Sequence, residues 1–134
     1  ALVVANRALL KNLFPLVKQH GALLAKGRLL GVQFGALFRD GLYERIGERA
    51  VQLALRIREA FRAEGYEVVK ESPTNQQFFR LPNDVIDRLR ETISIDYWGP
   101  RGATDSVVRF VTSWATSEED VEALIAVLNK ETVE

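Results

Sequence analysis

Cysteine and methionine are absent from the 134 residues, histidine occurs once and proline four times. Without cysteine there can be no disulfide scaffold, thiolate zinc site or thiol nucleophile, and His20 alone leaves too few imidazoles for a histidine-rich metal centre. Net charge is missing too: 18 basic residues balance 18 acidic ones, which argues against a general nucleic-acid binder. The balance is uneven along the chain, with 11 basic against 6 acidic residues in 1–67 and 7 against 12 in 68–134. The opening residues lack the basic start and small-residue cleavage site of a signal peptide, so a cytoplasmic protein is the default expectation. No P-loop, dinucleotide glycine loop, HExxH, EF-hand loop or nucleophile elbow occurs. What remains is 47% hydrophobic and 27% charged, the composition of one compact globular fold.

The run Ala1–Ala5 is apolar and of strand character. A lone strand needs neighbours, so this run is read as the last strand of a sheet in a larger parent protein, with membership of the chain's own sheet as the alternative. Behind Asn6, a good N-cap, residues 7–19 place Leu9, Leu10, Leu13, Leu16 and Val17 at helical spacing, and Pro15 predicts a break near 14–15. Residues 21–38 are apolar on nearly every side, but Lys26 and Arg28 sit at their centre. A buried helix therefore fits better than a membrane span. Gly27, Gly31 and Gly35 fall at i, i+4 and i+8 and form one bare stripe for close helix packing, an interrupted helix being the alternative.

Residues 42–64 repeat Ile46, Ala50, Leu53, Ala54, Ile57 and Phe61 at helical spacing, ended by Gly65. Strands follow at 66–71 and 76–81, joined by the Ser72–Asn75 turn; Pro82-Asn83 opens a short helix carrying Val85, Ile86 and Leu89. Strands at 92–98 and 106–112 and a last helix, with a capping box at 116–119 and Val121, Leu124, Ile125 and Leu128 on its apolar face, complete the order. The fold class expected is α+β: N-terminal helices, then a ββαββα domain with a mainly antiparallel four-stranded sheet.

Few residues suggest chemistry. Glu118, Glu119, Asp120 and Glu122 cluster in the first turn of a helix, where the macrodipole accounts for them. His20, between two helical segments, suits a surface or junction role better than catalysis. Arg109 differs, because Val107, Val108, Phe110 and Val111 surround it in an otherwise apolar strand. A guanidinium there needs a partner, either a ligand carboxylate gripped bidentately or an Asp or Glu on a neighbouring strand, and the local pattern does not choose. The segment 73–77, with Thr74 and Asn75, is a polar turn or the rim of a polar pocket, and turn chemistry favours the first. Tyr97, Trp98 and Trp114 could line a site, though aromatics at strand ends more often close a core.

Three blocks together carry a resemblance: QHGALLAKGRLLGVQFGALFRDGLY at 19–43, SPTNQQFFRLPN at 72–83 and VVRFVTSWATSEEDVEAL at 107–124. They resemble the C-terminal portion of the β-eliminating lyase/threonine aldolase family, pyridoxal-phosphate enzymes of the aspartate-aminotransferase fold type. The resemblance implies that residues 1–40 are the end of a large-domain strand plus connecting helices, and 41–134 the C-terminal small domain. It implies a parent enzyme that cleaves a β-hydroxy amino acid, threonine to glycine plus acetaldehyde, with pyridoxal 5'-phosphate held by the large domain. Its partners would be that domain, the amino-acid substrate and further copies in a homo-oligomer, with neither nucleic acid nor membrane. The family's cofactor-bearing lysine stands in a Thr-Lys motif ahead of the strand matching Ala1–Ala5. None of Lys11, Lys18, Lys26, Lys70 or Lys130 stands in such a motif, so the chain alone is expected to be inactive, with no catalytic or cofactor-binding residue of its own. Arg109 matches the family arginine that binds the substrate α-carboxylate, and Thr74 and Asn75 match a polar turn near the site. Where many threonine aldolases have a histidine soon after the arginine strand, this chain has Ser113-Trp114; where they have Met-Arg-Gln, it has Leu23-Leu24-Ala25. Beta-elimination from another amino acid, or a non-catalytic α+β ligand-binding or interaction module, are the alternatives.

Overall fold

The computed structural model describes residues 4–130. The proposed strand at 1–5 therefore falls mostly outside the described residues. Contacts divide the chain into two units, 1–40 and 41–134.

The first unit holds a short 3-10 helix, Arg7–Leu10, then α1, Leu13–Gln19, and α2, Arg28–Leu37. Asn6 caps the 3-10 helix by accepting from the Ala8 N–H at 3.0 Å. The expected break at Pro15 is displaced. It falls at Lys11 and Asn12, where Asn12 takes φ 62°, and Pro15 occupies the third position of α1. The first-turn N–H groups of a helix have no intrahelical acceptor, so the proline removes nothing there. The buried helix expected over 21–38 is also corrected: only 28–37 is helical, with Gly21 at φ 64° and Gly27 as N-cap, and none of its residues is buried. Side chains built on Gly27, Gly31 or Gly35 would meet nothing within 4 Å. Leu9, Phe14, Leu29, Val32 and Phe38 are all exposed.

The second unit begins with α3, Leu42–Ala63, whose buried residues Ala50, Leu53, Ala54, Ile57 and Phe61 follow the helical period. Its end is a Schellman turn. Gly65 at φ 82° donates to the Arg62 carbonyl, and Tyr66 reaches back to Phe61, each at 3.0 Å. The hairpin β1, Glu67–Lys70, and β2, Gln76–Pro82, leads into α4, Asn83–Leu89; β3, Asp96–Tyr97, β4, Asp105–Val111, and α5, Glu118–Lys130, complete the unit. The four-stranded sheet has the order β1-β2-β4-β3, with every neighbouring pair antiparallel.

Alternation along β2 and β4 buries Gln77, Phe79 and Leu81 together with Ser106, Val108 and Phe110. Against that face, Phe61 of α3 stacks on Phe79 at 4.4 Å and tilts against Phe110 at 5.1 Å. Ile86 and Leu89 of α4 and Val121, Leu124 and Leu128 of α5 belong to the same core. The expected strand at 92–98 shrinks to two residues because α4 claims its start. The N–H groups of Thr92 and Ile93 both donate to the Leu89 carbonyl, at 3.2 and 3.0 Å. The capping box of α5 is shifted by one residue from the expected 116–119: the Ser117 hydroxyl accepts from the Asp120 N–H at 3.0 Å, and the Asp120 carboxylate from the Ser117 N–H at 2.9 Å.

Candidate functional site

Alternation that buries Val108 and Phe110 turns Arg109 to the opposite face of β4, beside Val107 and Val111. Register then decides what it meets. Arg109 lies opposite Phe78 of β2 on one side and Asp96 of β3 on the other. Its Nη2 donates to Asp96 Oδ2 at 2.8 Å, while Nη1 reaches Gln76 Oε1 only at 3.4 Å and Nε is buried with no partner. The guanidinium carbon stands 5.3 Å from the centre of the Trp98 ring, which meets the Phe78 edge at 5.0 Å. A guanidinium over an aromatic face is held there without a hydrogen bond from its N–H groups. Both partners considered for Arg109 thus have a basis: a neighbouring carboxylate holds one nitrogen, and donor capacity remains.

Thr74 and Asn75 belong to a separate arrangement. The Ser72 and Thr74 hydroxyls lie 2.9 Å apart, and the Gln76 N–H donates to the Thr74 hydroxyl at 3.2 Å. Beneath them the buried Gln77 side chain donates to the Thr74 and Ser72 carbonyls at 2.8 and 3.2 Å. Asn75 Nδ2 donates to the Thr112 carbonyl at 2.6 Å, and the Thr112 hydroxyl donates to the Ala50 carbonyl at 2.6 Å, tying β2, β4 and α3 together. The turn rims an open groove of about 600 Å³ that Tyr43, Gly47, Val51 and Trp114 also line. Thr74 and Asn75 share that groove. Arg109 and the lysines are not among its lining residues.

Other candidates have local explanations. Glu118 pairs with Arg49 at 3.4 Å and Glu122 pairs with Arg56, across from α5 to α3. His20 is exposed at the C-cap of α1. Among the described residues, no group of three His, Cys, Asp or Glu side chains could hold a metal ion, and no helix is long and apolar enough to cross a membrane. Trp98 and Trp114, expected to close a core, are instead 56% and 75% exposed, while Tyr97 packs against the core. Asp96 was the missed member of the arginine cluster. It is the one acidic residue in the segment 92–98, and antiparallel pairing of that segment with β4 was the signal that could have found it.

A solved Leishmania major threonine aldolase superposes on 97% of this chain with a TM-score of 0.89 and 33% sequence identity. The chain resembles the C-terminal part of the threonine aldolase family. It spans 38% of the length of that aldolase. An 8-amino-7-oxononanoate synthase from Francisella tularensis matches 77% of the chain and 30% of its own length at a TM-score of 0.54 and 16% identity, a likeness of fold alone. No protein-family model and no curated protein matches the sequence. The α+β architecture, with helices preceding a four-stranded antiparallel sheet, is that of the small domain of an enzyme of the aspartate-aminotransferase fold type.

Proposed function

We propose that this chain is the C-terminal segment of a pyridoxal-phosphate-dependent lyase that cleaves a β-hydroxy amino acid, with threonine to glycine plus acetaldehyde as the leading reaction. The observation that carries this reading is the likeness of nearly the whole chain to a threonine aldolase at 33% identity. The exposed apolar side chains of Leu9, Phe14, Leu29, Val32 and Phe38 agree with it, since so many large apolar groups in one short segment call for a cover. On this reading the cover is the large domain of the parent chain, and residues 1–40 join the two domains.

On this reading the cofactor's seat, with the lysine that carries it, belongs to the large domain, and this chain's part is the substrate. Arg109 binds the α-carboxylate. A carboxylate held there fixes the orientation of the other Cα substituents, and that orientation selects the bond that breaks. The electron sink is the cofactor's contribution. Thr74 and Asn75 rim a groove that Arg109 does not line, and on this reading they neighbour the site without touching the carboxylate.

The test uses the full-length enzyme. Arg109→Ala is expected to lower kcat/KM for threonine roughly 100-fold, the worth of about 3 kcal/mol of charge-assisted hydrogen bonding, while the visible absorption of bound cofactor persists. Loss of the cofactor band, or an unchanged kcat/KM, would overturn the assignment. A full-length protein with no visible band that borohydride reduces would instead leave a ligand-binding module, a role for which the self-contained core of 41–134 would suffice.

A further inference from the structure

The geometry points to Asp96 as an internal competitor for the substrate carboxylate: it occupies Arg109 at the one nitrogen that every two-point grip needs, and the arriving amino acid must displace it. The inference rests on the carboxylate role proposed for Arg109 and adds to it what governs access.

A guanidinium grips a carboxylate at two points in two ways, end-on through Nη1 and Nη2, or side-on through Nε and Nη2. Nη2 is common to both. In this chain Asp96 Oδ2 sits 2.8 Å from Nη2, Nη1 has only the 3.4 Å approach of Gln76, and Nε has no partner but is buried, so the end-on grip is the one open to a ligand. A ligand that used the second hydrogen of Nη2 with Asp96 still in place would bring two carboxylates against one nitrogen, and like charges at that spacing repel. Displacement is the lower-energy course.

Two observations make the exchange feasible. The Asp96 side chain is 63% exposed, so a carboxylate leaving Arg109 swings into water, and its hold on the arginine is a single hydrogen bond. Arg109 does not lose its orientation when Asp96 leaves, because Trp98 lies over the guanidinium at 5.3 Å and is itself braced by the Phe78 edge. The two-residue strand β3 thus delivers two functions to one arginine, a steady support from Trp98 and a removable partner from Asp96.

The test is equilibrium binding of glycine, which carries the α-carboxylate but has no Cα–Cβ bond to cleave, to the full-length enzyme by titration calorimetry, alongside KM for threonine, for the wild type, Asp96→Asn, Asp96→Glu, Arg109→Ala and the double variant Asp96→Asn/Arg109→Ala. Asp96→Asn is expected to bind glycine about 2–5-fold more tightly, the strength of an exposed ion pair. Asp96→Glu, which keeps the competing charge, should return affinity toward the wild type, and the gain should vanish when Arg109 is absent. Weaker or unchanged binding by Asp96→Asn would overturn the inference, the first by making Asp96 a support for the arginine. A gain that survives in the double variant would also overturn it, since the effect would then be a general one of charge. If Arg109→Ala itself binds glycine normally, the carboxylate assignment falls. If Arg109→Ala binds poorly and Asp96→Asn no more tightly than wild type, only the competitor role falls.

Discussion

Replacing Gly102 with alanine is expected to damage this fold more than any other single added methyl on its glycines. A Cβ on Gly102 would run into the backbone carbonyl of Asp105, and backbone cannot swing aside as a side chain does. Relief requires moving the loop between β3 and β4, which four hydrogen bonds fix. The Gly102 N–H donates to the Ser106 hydroxyl at 3.1 Å, its carbonyl accepts from Asn83 at 3.0 Å, the Ser106 hydroxyl donates to Asn83 Oδ1 at 2.7 Å, and the Asn83 N–H donates to the Thr104 carbonyl at 2.9 Å. Losing one or two of them costs about 0.5–1.5 kcal/mol each, and leaving the buried Ser106 hydroxyl unsatisfied adds about 1–3 kcal/mol. The two together span about 1.5–6 kcal/mol. For a domain of this size that corresponds to a fall in Tm of roughly 6–48 °C. Thermal unfolding followed by circular dichroism at low micromolar concentration would measure it, with Gly27→Ala as control, since a Cβ there meets nothing within 4 Å. A Gly102→Ala protein melting within about 2 °C of the parent would refute the reasoning, because the loop would have to possess a second path of equal energy.

Two further outcomes are expected. Phe61→Ala should cost about 3–5 kcal/mol, because the ring is fully buried between Phe79 and Phe110; urea unfolding should show a lowered midpoint, and a loss below about 1 kcal/mol would mean that α3 does not seat as described. Asp120 accepts a hydrogen bond from the Ser117 backbone N–H, which holds its carboxyl below the ordinary aspartate value. A depressed folded-state value means the contribution is complete above about pH 4 and is lost as pH falls through the folded one. Asp120→Asn should thus be less stable than the parent at neutral pH and converge with it in acid; a difference that persists at the lowest pH would contradict the cap.

The parts of the fold that were legible in the sequence are those whose partners lie within it. Ala50, Leu53, Ala54, Ile57 and Phe61 declare α3 because the surface they cover is the chain's own sheet, and the alternation of 105–111 declares β4 for the same reason. Residues 21–38 depart from the buried helix that their pattern predicts, because all-round apolar character reports a need for burial without saying what supplies it. The segment 92–98 has strand-forming side chains, but Thr92 and Ile93 spend their backbone donors on the end of α4, a competition no propensity expresses. Of the candidate site, Arg109 stood out as a charge in an apolar strand, whereas Asp96 became visible only once register set β3 against β4. Thr74 and Asn75 read as turn residues, and their hydrogen bonds to Ser72, Gln77 and Thr112 give them that role in addition to the groove they rim.

The pairing of α5 with α3 has a consequence for how the chain is made. Their ion pairs join residues 66 and 69 positions apart, and closing a loop of that length costs about 4 kcal/mol in chain entropy. A ribosome delivers α3 first, then the whole sheet, and only last the helix that brings Val121, Leu124 and Leu128 to the core. Until residue 128 has cleared the exit tunnel, the nascent domain carries Phe61 and its neighbours under an unfinished roof. Premature termination early in α5 would release a product with all four of its strands and none of its closure, a substrate for chaperones and proteases.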